Sequence, residues 1–249
     1  MRLADLIFSQ GFGTRRECEA LIGHGLVEVH GRVTDDPRAE VEADGLRFKV
    51  QGVDWPYRAN ALVVLNKPRG YECSQKPKHH PSVMSLLPLP LRRRGVQPIG
   101  RLDEDTTGLL LLTDDGRLIH RLTSPRQHVP KVYEVGCKHP LDATQLQRLL
   151  DGVTLADDPA TVRAVGAEPT GGRADGLHGL RLTLTDGKYH QVKRMLAAVG
   201  NRVEALHRSG FGALRLPDDL PPGGWRWLDG IASVTPPVSA APSPIGASP

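Results

Sequence analysis

The stretch that most constrains this chain is Gly100–Gly108, G-R-L-D-E-D-T-T-G, which runs without a spacer into Leu109-Leu110-Leu111-Leu112. Four consecutive leucines directly after a polar loop read as a buried strand, Leu109 to Thr113, and a buried strand behind a polar loop is a rigid platform for side chains that must be held still. The loop places Asp103, Glu104 and Asp105 at successive positions. Neighbouring strand-like positions point to opposite sides, so one carboxylate can face a cleft while the next faces solvent or caps the turn. Asp103, two residues from Arg101, is the candidate for a carboxylate kept ionised by a cation, and an ionised carboxylate can act as nucleophile or general base. An acidic turn with a Thr-Thr cap accounts for this segment equally well.

The length of 249 residues accommodates about two domains. Arg2 to Gln10 spaces Leu3, Leu6 and Ile7 as a helix. Thr14 and Glu17 form a capping-box pattern opening a second helix, Arg15 to Gly23, with Cys18, Leu21 and Ile22 on its apolar side. Leu26 to Val33 alternates and turns at His30-Gly31, and Leu46 to Val50 alternates again after Asp44-Gly45. These elements make a small α+β module of residues 1–50. Gln51 to Asn60 has no periodicity and is expected to be a linker.

The second domain is expected over 61–234. Ala61 to Leu65 is a buried strand stopping at Asn66-Lys67-Pro68-Arg69-Gly70. Pro77 to Arg94 is a loop with one short helix near Ser82 to Leu87, and Arg117 to Leu122 is a short helix. Lys131 to Cys137 alternates, with Tyr133, Val135 and Cys137 on one face. Asp142 caps a helix over Ala143 to Leu150, Leu180, Leu182 and Leu184 mark a half-buried strand, and Val192, Met195, Leu196 and Val199 mark a helix ended by Gly200. The fold class is therefore α+β, a small module followed by a mixed or antiparallel sheet with flanking helices. From Thr235 to Pro249 the composition is that of a disordered tail.

Charge is uneven. Residues 1–50 carry seven Lys/Arg and nine Asp/Glu, a net of −2, whereas residues 67–101 carry eight Lys/Arg and only Glu72, a net of +7. The second stretch attracts phosphate whatever the sequence of the partner, though a solvated loop has the same composition. Cys18, Cys73 and Cys137 are far apart and form no C-x-x-C pair, which argues against a disulfide framework and for a reducing cytosol. No secretory signal or apolar span is present, so a cytoplasmic chain without a membrane partner is expected. The histidines His79, His80, His190 and His207 lack metal-ligand spacing, no phosphate-binding glycine loop occurs, and Ser82 and Ser124 lack a nucleophile-elbow context.

Two further clusters can carry chemistry. Gly187 to Arg194, G-K-Y-H-Q-V-K-R, sits at a strand-to-helix junction and leaves His190, Lys193 and Arg194 opposite the apolar stripe, as a counter-ion for a carboxylate or as an ordinary solvated face. Tyr133, in K-V-Y, is either a stacking platform for a nucleobase or a core residue.

Together, G-R-L-D-E-D-T-T-G-L-L-L-L-T-D-D-G, R-L-T-S-P-R, K-V-Y-E-V, G-K-Y-H-Q-V-K-R-M, A-A-V-G-N-R-V-E-A-L-H-R and N-K-P-R-G-Y resemble the RsuA branch of bacterial pseudouridine synthases, and residues 1–50 resemble the S4 RNA-binding domain that precedes the catalytic domain in that branch. The resemblance implies isomerisation of one uridine of ribosomal RNA: the glycosidic bond breaks, the uracil rotates, and C5 is rejoined to the sugar. By motif it implies Asp103 as the catalytic aspartate, Tyr133 as the tyrosine stacking on the flipped base, and Lys193 as the basic residue paired with the aspartate. It implies RNA contacts from Arg2, Arg15, Arg16, Arg32, Lys67, Arg69, Arg101, His190, Gln191 and Arg194, with no metal and no cofactor. The H-Q-V-K-R-M helix and the A-L-H-R segment resemble the small-subunit enzyme, so 16S rRNA, in the uridine-516 type of activity, is the expected substrate, naked or in a pre-ribosomal particle, for a monomeric enzyme. The alternatives are a 23S rRNA synthase of the same family and a non-catalytic RNA-binding assembly factor.

Overall fold

In the computed structural model, which describes residues 1–156 and 158–234, Thr14 opens its helix as the capping-box pattern requires. Its hydroxyl accepts from the Glu17 amide at 3.3 Å, and the Glu17 carboxylate accepts from the Thr14 amide at 2.6 Å. This helix, α2 (Arg15–Gly23), follows α1 (Leu3–Ser9), which buries Leu3, Leu6 and Ile7. Strands β1 (Val27–Val29) and β2 (Arg32–Val33) are joined through His30 and Gly31, both left-handed at φ 51° and 74°, the turn that matches the twist of a tight hairpin. Strand β3 (Arg47–Val50) lies beside β1.

The expected linker, 51–60, is instead partly structured. Gln51 and Gly52 turn the chain at φ 53° and 78°, and β4 (Val53–Pro56) pairs antiparallel with β3 to complete a four-stranded sheet in the order β2-β1-β3-β4. A Gln-Gly turn into a four-residue edge strand ending in proline leaves too short a pattern for alternation to register. Trp55 of this strand is buried, its ring edge-on to Phe12 at 5.3 Å. The chain divides into two compact units elsewhere: Met1–Ser124 with Leu220–Trp227, and Pro125–Asp219 with the residues from Leu228.

The first unit continues with β5 (Leu62–Lys67), every residue of which is buried, and then a 3-10 turn over Val83–Leu86 whose Ser82 hydroxyl accepts from the Met84 amide. The segment expected to hold one short helix holds a second, α3 (Leu89–Arg93), started by the proline-fixed backbone at Pro88 and Pro90. Arg94 just after it is no surface cation. Its side chain is 4% exposed, pairs with Asp114 at 2.7 Å, and donates to the Gln10 side chain and to the carbonyls of Arg58 and Ala59. The 58–59 segment and the end of α1 are thereby fixed to the strand layer. Strand β6 (Gln97–Pro98) pairs with β7 (Thr107–Thr113), and β7 pairs antiparallel with β5, Leu110 opposite Leu65 and Gly108 opposite Lys67. Helix α4 (Gly116–Thr123) is capped by Asp115, and a strand at Trp225–Trp227 lies antiparallel against β5.

The second unit is built on β8 (Lys131–Cys137), followed by α5 (Ala143–Asp151) with an Asp142–Gln145 capping box. Strands β9 (Val153–Leu155) and β10 (Asp158–Val162) form a hairpin. Then β11 (Gly166–Gly172), β12 (His178–Leu184), α6 (Gln191–Ala198), β13 (Val203–Phe211) and β14 (Leu214–Arg215) complete the unit. Its sheet runs β11-β12-β8-β13, all pairs antiparallel, with β14 on β13. Val135, Cys137, Leu180, Leu182 and Leu184 pack with Leu149 of α5 and Val192, Met195 and Leu196 of α6 as one core. Cys18, Cys73 and Cys137 are all buried, and burial pushes the Cys18 and Cys137 thiols up to about 11.

Among the described residues no helix is long and apolar enough to cross a membrane, and no group of three or more His, Cys, Asp or Glu is placed to hold a metal ion. The expected tail, 235–249, lies outside the described residues.

Candidate active site

In the first unit the acidic loop is tied down from behind before it enters β7. Lys67, at the end of β5, has 0% exposure, and its ammonium donates to the carbonyls of Thr106 at 2.8 Å, Glu104 at 3.0 Å and Pro68 at 3.2 Å. Burial lowers its pKa below the usual lysine value. The expectation that Lys67 contacts RNA is therefore corrected: all three donors of the ammonium are satisfied inside the protein. The Gly70 amide donates to the Glu104 carbonyl at 2.9 Å, the Thr106 amide to the Asp103 carbonyl at 3.1 Å, and the Leu102 amide to the Cys73 sulfur. Asp103 is half-buried on this fixed backbone; Arg101, two residues before it, and Arg69, two residues after Lys67, are both exposed.

In the second unit Tyr133 sits half-buried in β8, opposite Leu182 of β12 and Arg208 of β13. Its ring packs against the core cluster, so the stacking and core readings of this tyrosine apply to the same side chain. Arg208 is 2% exposed, with its guanidinium carbon 5.4 Å from the centre of the Phe211 ring. The sequence patterns did not single out this buried arginine opposite Tyr133. The available signal was an arginine two positions after Leu206 in a strand whose alternate residues face the core. Lys131, two positions before Tyr133, donates to the carbonyls of Val129 at 3.0 Å and Thr185 at 3.1 Å, and burial pushes its pKa down to about 8.

Helix α6 starts at His190, whose backbone is left-handed at φ 47°. Val192, Met195, Leu196 and Val199 are buried as the spacing predicts, leaving Lys193 and Arg194 half-buried on the other side. Gln191 does not join them. It is 5% exposed, its carbonyl oxygen accepts from the Lys188 amide at 2.8 Å, and its amide reaches the Met195 sulfur, so the expected RNA contact from Gln191 is corrected to a helix-start brace.

The N-terminal module brings together two of the four arginines expected there to contact RNA. Arg2, Arg15 and Arg38 line one open cleft of about 540 Å³ with Asp5, Glu19 and Asp36. Arg2 and Arg15 donate to the two oxygens of Asp5 at 2.8 and 2.7 Å, and these bonds hold its carboxyl below the usual aspartate value. Arg16 and Arg32 are exposed and do not line this cleft.

The RNA pseudouridylate synthase family matches residues 61–198, and the S4 domain matches residues 1–45. The chain is 46% identical over 246 residues to ribosomal small subunit pseudouridine synthase A of Yersinia pestis, covering 94% of this chain and 98% of the relative. It is 38% identical over 228 residues to the uncharacterized RNA pseudouridine synthase YtzG of Bacillus subtilis (strain 168), covering 92% and 95%. A crystal structure of a pseudouridylate synthase superposes with a TM-score of 0.61 at 31% identity, covering 92% of this chain and 96% of that one.

Proposed function

This chain belongs to the RNA pseudouridylate synthase family and carries an S4 domain, and from that premise we propose that it isomerises one uridine of 16S ribosomal RNA, the uridine-516 type of activity, to pseudouridine. The observation that carries the choice of substrate is the 46% identity, over nearly the whole of both chains, to a ribosomal small subunit synthase. The reaction exchanges the N1–C1′ bond of the uridine for a C5–C1′ bond. A proton leaves C5 and one is gained at N1, so nothing is consumed and no cofactor is called for.

In this reading Asp103 is the catalytic carboxylate, Tyr133 the ring against which the extruded uracil stacks, and Lys193 the basic group the carboxylate requires to stay ionised. The fixed backbone around Asp103 supports the first role, since a reacting group gains from a geometry settled before substrate arrives. Arg2, Arg15, Arg16, Arg32, Arg69, Arg101, His190 and Arg194 supply the phosphate contacts. Residues 1–50 serve as the RNA-binding module and 61–234 as the catalytic domain. The enzyme works as a monomer in the cytoplasm, on rRNA or a pre-ribosomal particle.

The test is a pseudouridine map of both large rRNAs, by carbodiimide modification and reverse transcription, in a strain lacking the gene. Loss of one stop in 16S rRNA supports the proposal. Loss confined to 23S rRNA reassigns the substrate, and an unchanged map turns the chain into a non-catalytic RNA binder. Complementation with Asp103→Asn, which keeps the shape and removes the charge, is expected to leave the stop missing while RNA binding survives.

A further inference from the structure

The most exposed aromatic side chain among the described residues is Tyr189, at 74%. Its ring lies parallel to the imidazole of the next residue, His190, with centroids 3.7 Å apart and an interplanar angle of 20°. One face of the phenol is thus covered and its orientation set, and the other face is left to water. The backbone beneath is held as well. His190 adopts the left-handed conformation that residues other than glycine rarely take, and Arg194 donates from its guanidinium to the Tyr189 carbonyl at 2.9 Å. Lys188, Lys193 and Arg194 surround the pair in sequence, Lys188 being braced by an ion pair with Asp158.

An aromatic ring fixed on one side and open on the other, set among cations, is a preformed surface for a nucleobase. Every base has a π-face, and the neighbouring positive charge meets its phosphate. The position of the turn in the second unit says which base. Leu184, the last residue of β12, pairs with Lys131, the first residue of β8, and the Lys131 ammonium holds the Thr185 carbonyl. The 185–190 turn therefore leaves the sheet at the end where β8 begins, and Tyr133 lies two residues, about 6.6 Å along the strand, inside that end. The two tyrosines are separate platforms at one end of one sheet.

We propose that Tyr189, backed by His190, stacks on a nucleobase of the substrate RNA neighbouring the uridine that reacts, and so helps to select the strand around it. The inference rests on the proposed RNA substrate and adds a second base-binding position to it.

The experiment compares full-length wild type with Tyr189→Ala, Tyr189→Phe and Tyr189→Trp. The readouts are time courses of pseudouridine formation on a 16S rRNA transcript and filter retention of the same RNA. Loss of one stacked base is expected to raise KM and Kd about 5- to 100-fold in Tyr189→Ala with kcat within about twofold of wild type. Phe and Trp keep the π-face and are expected to restore both constants. Tyr189 is exposed, so a fall in thermal midpoint is not expected, and a melting curve for each variant verifies this. An unchanged Kd in Tyr189→Ala, or an equal loss in the Phe and Trp variants, overturns the proposal. A wild type that binds this RNA without turning it over overturns the proposed reaction alone, because the ratio of Kd values still decides the stack.

Discussion

The ammonium of Lys67 donates to the main-chain carbonyl of Thr106 at 2.8 Å, and so fastens the last residue of β5 to the loop that presents Asp103. The same group also holds the carbonyls of Glu104 and Pro68. Lys67→Met keeps the buried volume and removes every donor. Leaving buried carbonyls unmatched is expected to destabilise the fold by about 2–5 kcal/mol, and a shift of the Asp103 backbone is expected to lower kcat by about 100-fold. RNA affinity should stay near wild type, because Lys67 has no exposed surface to offer a phosphate. Urea unfolding, single-turnover rates and filter binding on one preparation test all three. A tenfold weaker Kd with an intact rate would return Lys67 to the RNA-binding surface.

Arg94 makes a contrasting prediction within the same basic stretch. With its side chain 4% exposed and Asp114 beside it at 2.7 Å, removing the guanidinium takes the cation from a largely buried carboxylate, and takes a donor from the Ala59 carbonyl and one of the donors, beside the Gln10 amide, from the Arg58 carbonyl. Arg94→Ala is expected to lose about 3–5 kcal/mol, the range for breaking a buried ion pair from one side. Urea midpoints of Arg94→Ala and Arg92→Ala measure the difference. Comparable midpoints for the two variants would contradict the buried pairing.

Salt dependence of RNA binding separates the same residues. Arg92 and Arg93 are exposed, whereas Lys67 and Arg94 are not, so the field that residues 67–101 present to phosphate is weaker than the formal +7. The double variant Arg92→Ala, Arg93→Ala is expected to flatten the slope of log K against log salt by about 0.7–0.9 for each phosphate contact removed. An unaltered slope would mean that these two arginines make no contact with phosphate.

Lys67 and Arg94 also show where sequence reasoning stops. The helices other than α3, the His30-Gly31 turn, the two aliphatic strands and the candidate residues Asp103, Tyr133 and Lys193 are written in local patterns: spacing, capping residues and short motifs. A positive charge in a basic loop reads as a phosphate contact because composition records its sign and nothing about its depth. Burial of Lys67 depends on carbonyls about 40 residues further on, and burial of Arg94 on partners at positions 10, 58, 59 and 114. For Gln191 the hidden information is smaller, a helix start one residue earlier than the exposed face. Strands β4, β9, β10 and β11 were illegible for another reason. Strand β9, V-T-L, alternates over only three residues, and β4, β10 and β11 lie at sheet edges and interrupt their pattern with proline, charge or glycine.

Acid should open one loop before the rest. Glu72 accepts from the amides of His79 at 2.8 Å, His80 at 2.9 Å and Lys78 at 3.1 Å, and these bonds pull its pKa down to about 2 from an ordinary value of 4.5. A carboxylate whose pKa falls on folding contributes stability that is complete above 4.5 and is lost as pH drops toward 2. The protection factors of the amides of residues 78–80, taken relative to their intrinsic exchange rates at each pH, are therefore expected to fall across that window in wild type, and to be low already at neutral pH in Glu72→Gln. Equal protection of these amides in the two proteins would remove Glu72 as the clamp.

At the alkaline end the controlling group is Lys131, which is half-buried near Arg208 and donates to the carbonyls of Val129 and Thr185. Burial first, and the like charge of Arg208 second, bring its pKa down to about 8 from 10.5. In this window the unfolded chain keeps a proton that the folded chain gives up, so folding releases it and stability rises with pH between about 8 and 10.5. Below that range both states are protonated and the penalty for burying the ammonium is present in full. Other groups, the tyrosines among them, titrate nearby, so the quantity to measure is the difference between wild type and Lys131→Met in urea midpoint at several pH values from 7 to 10.5. The wild type is expected to gain on the variant as pH rises. A constant difference would show that the ammonium stays charged throughout, and that its two carbonyl partners outweigh its burial.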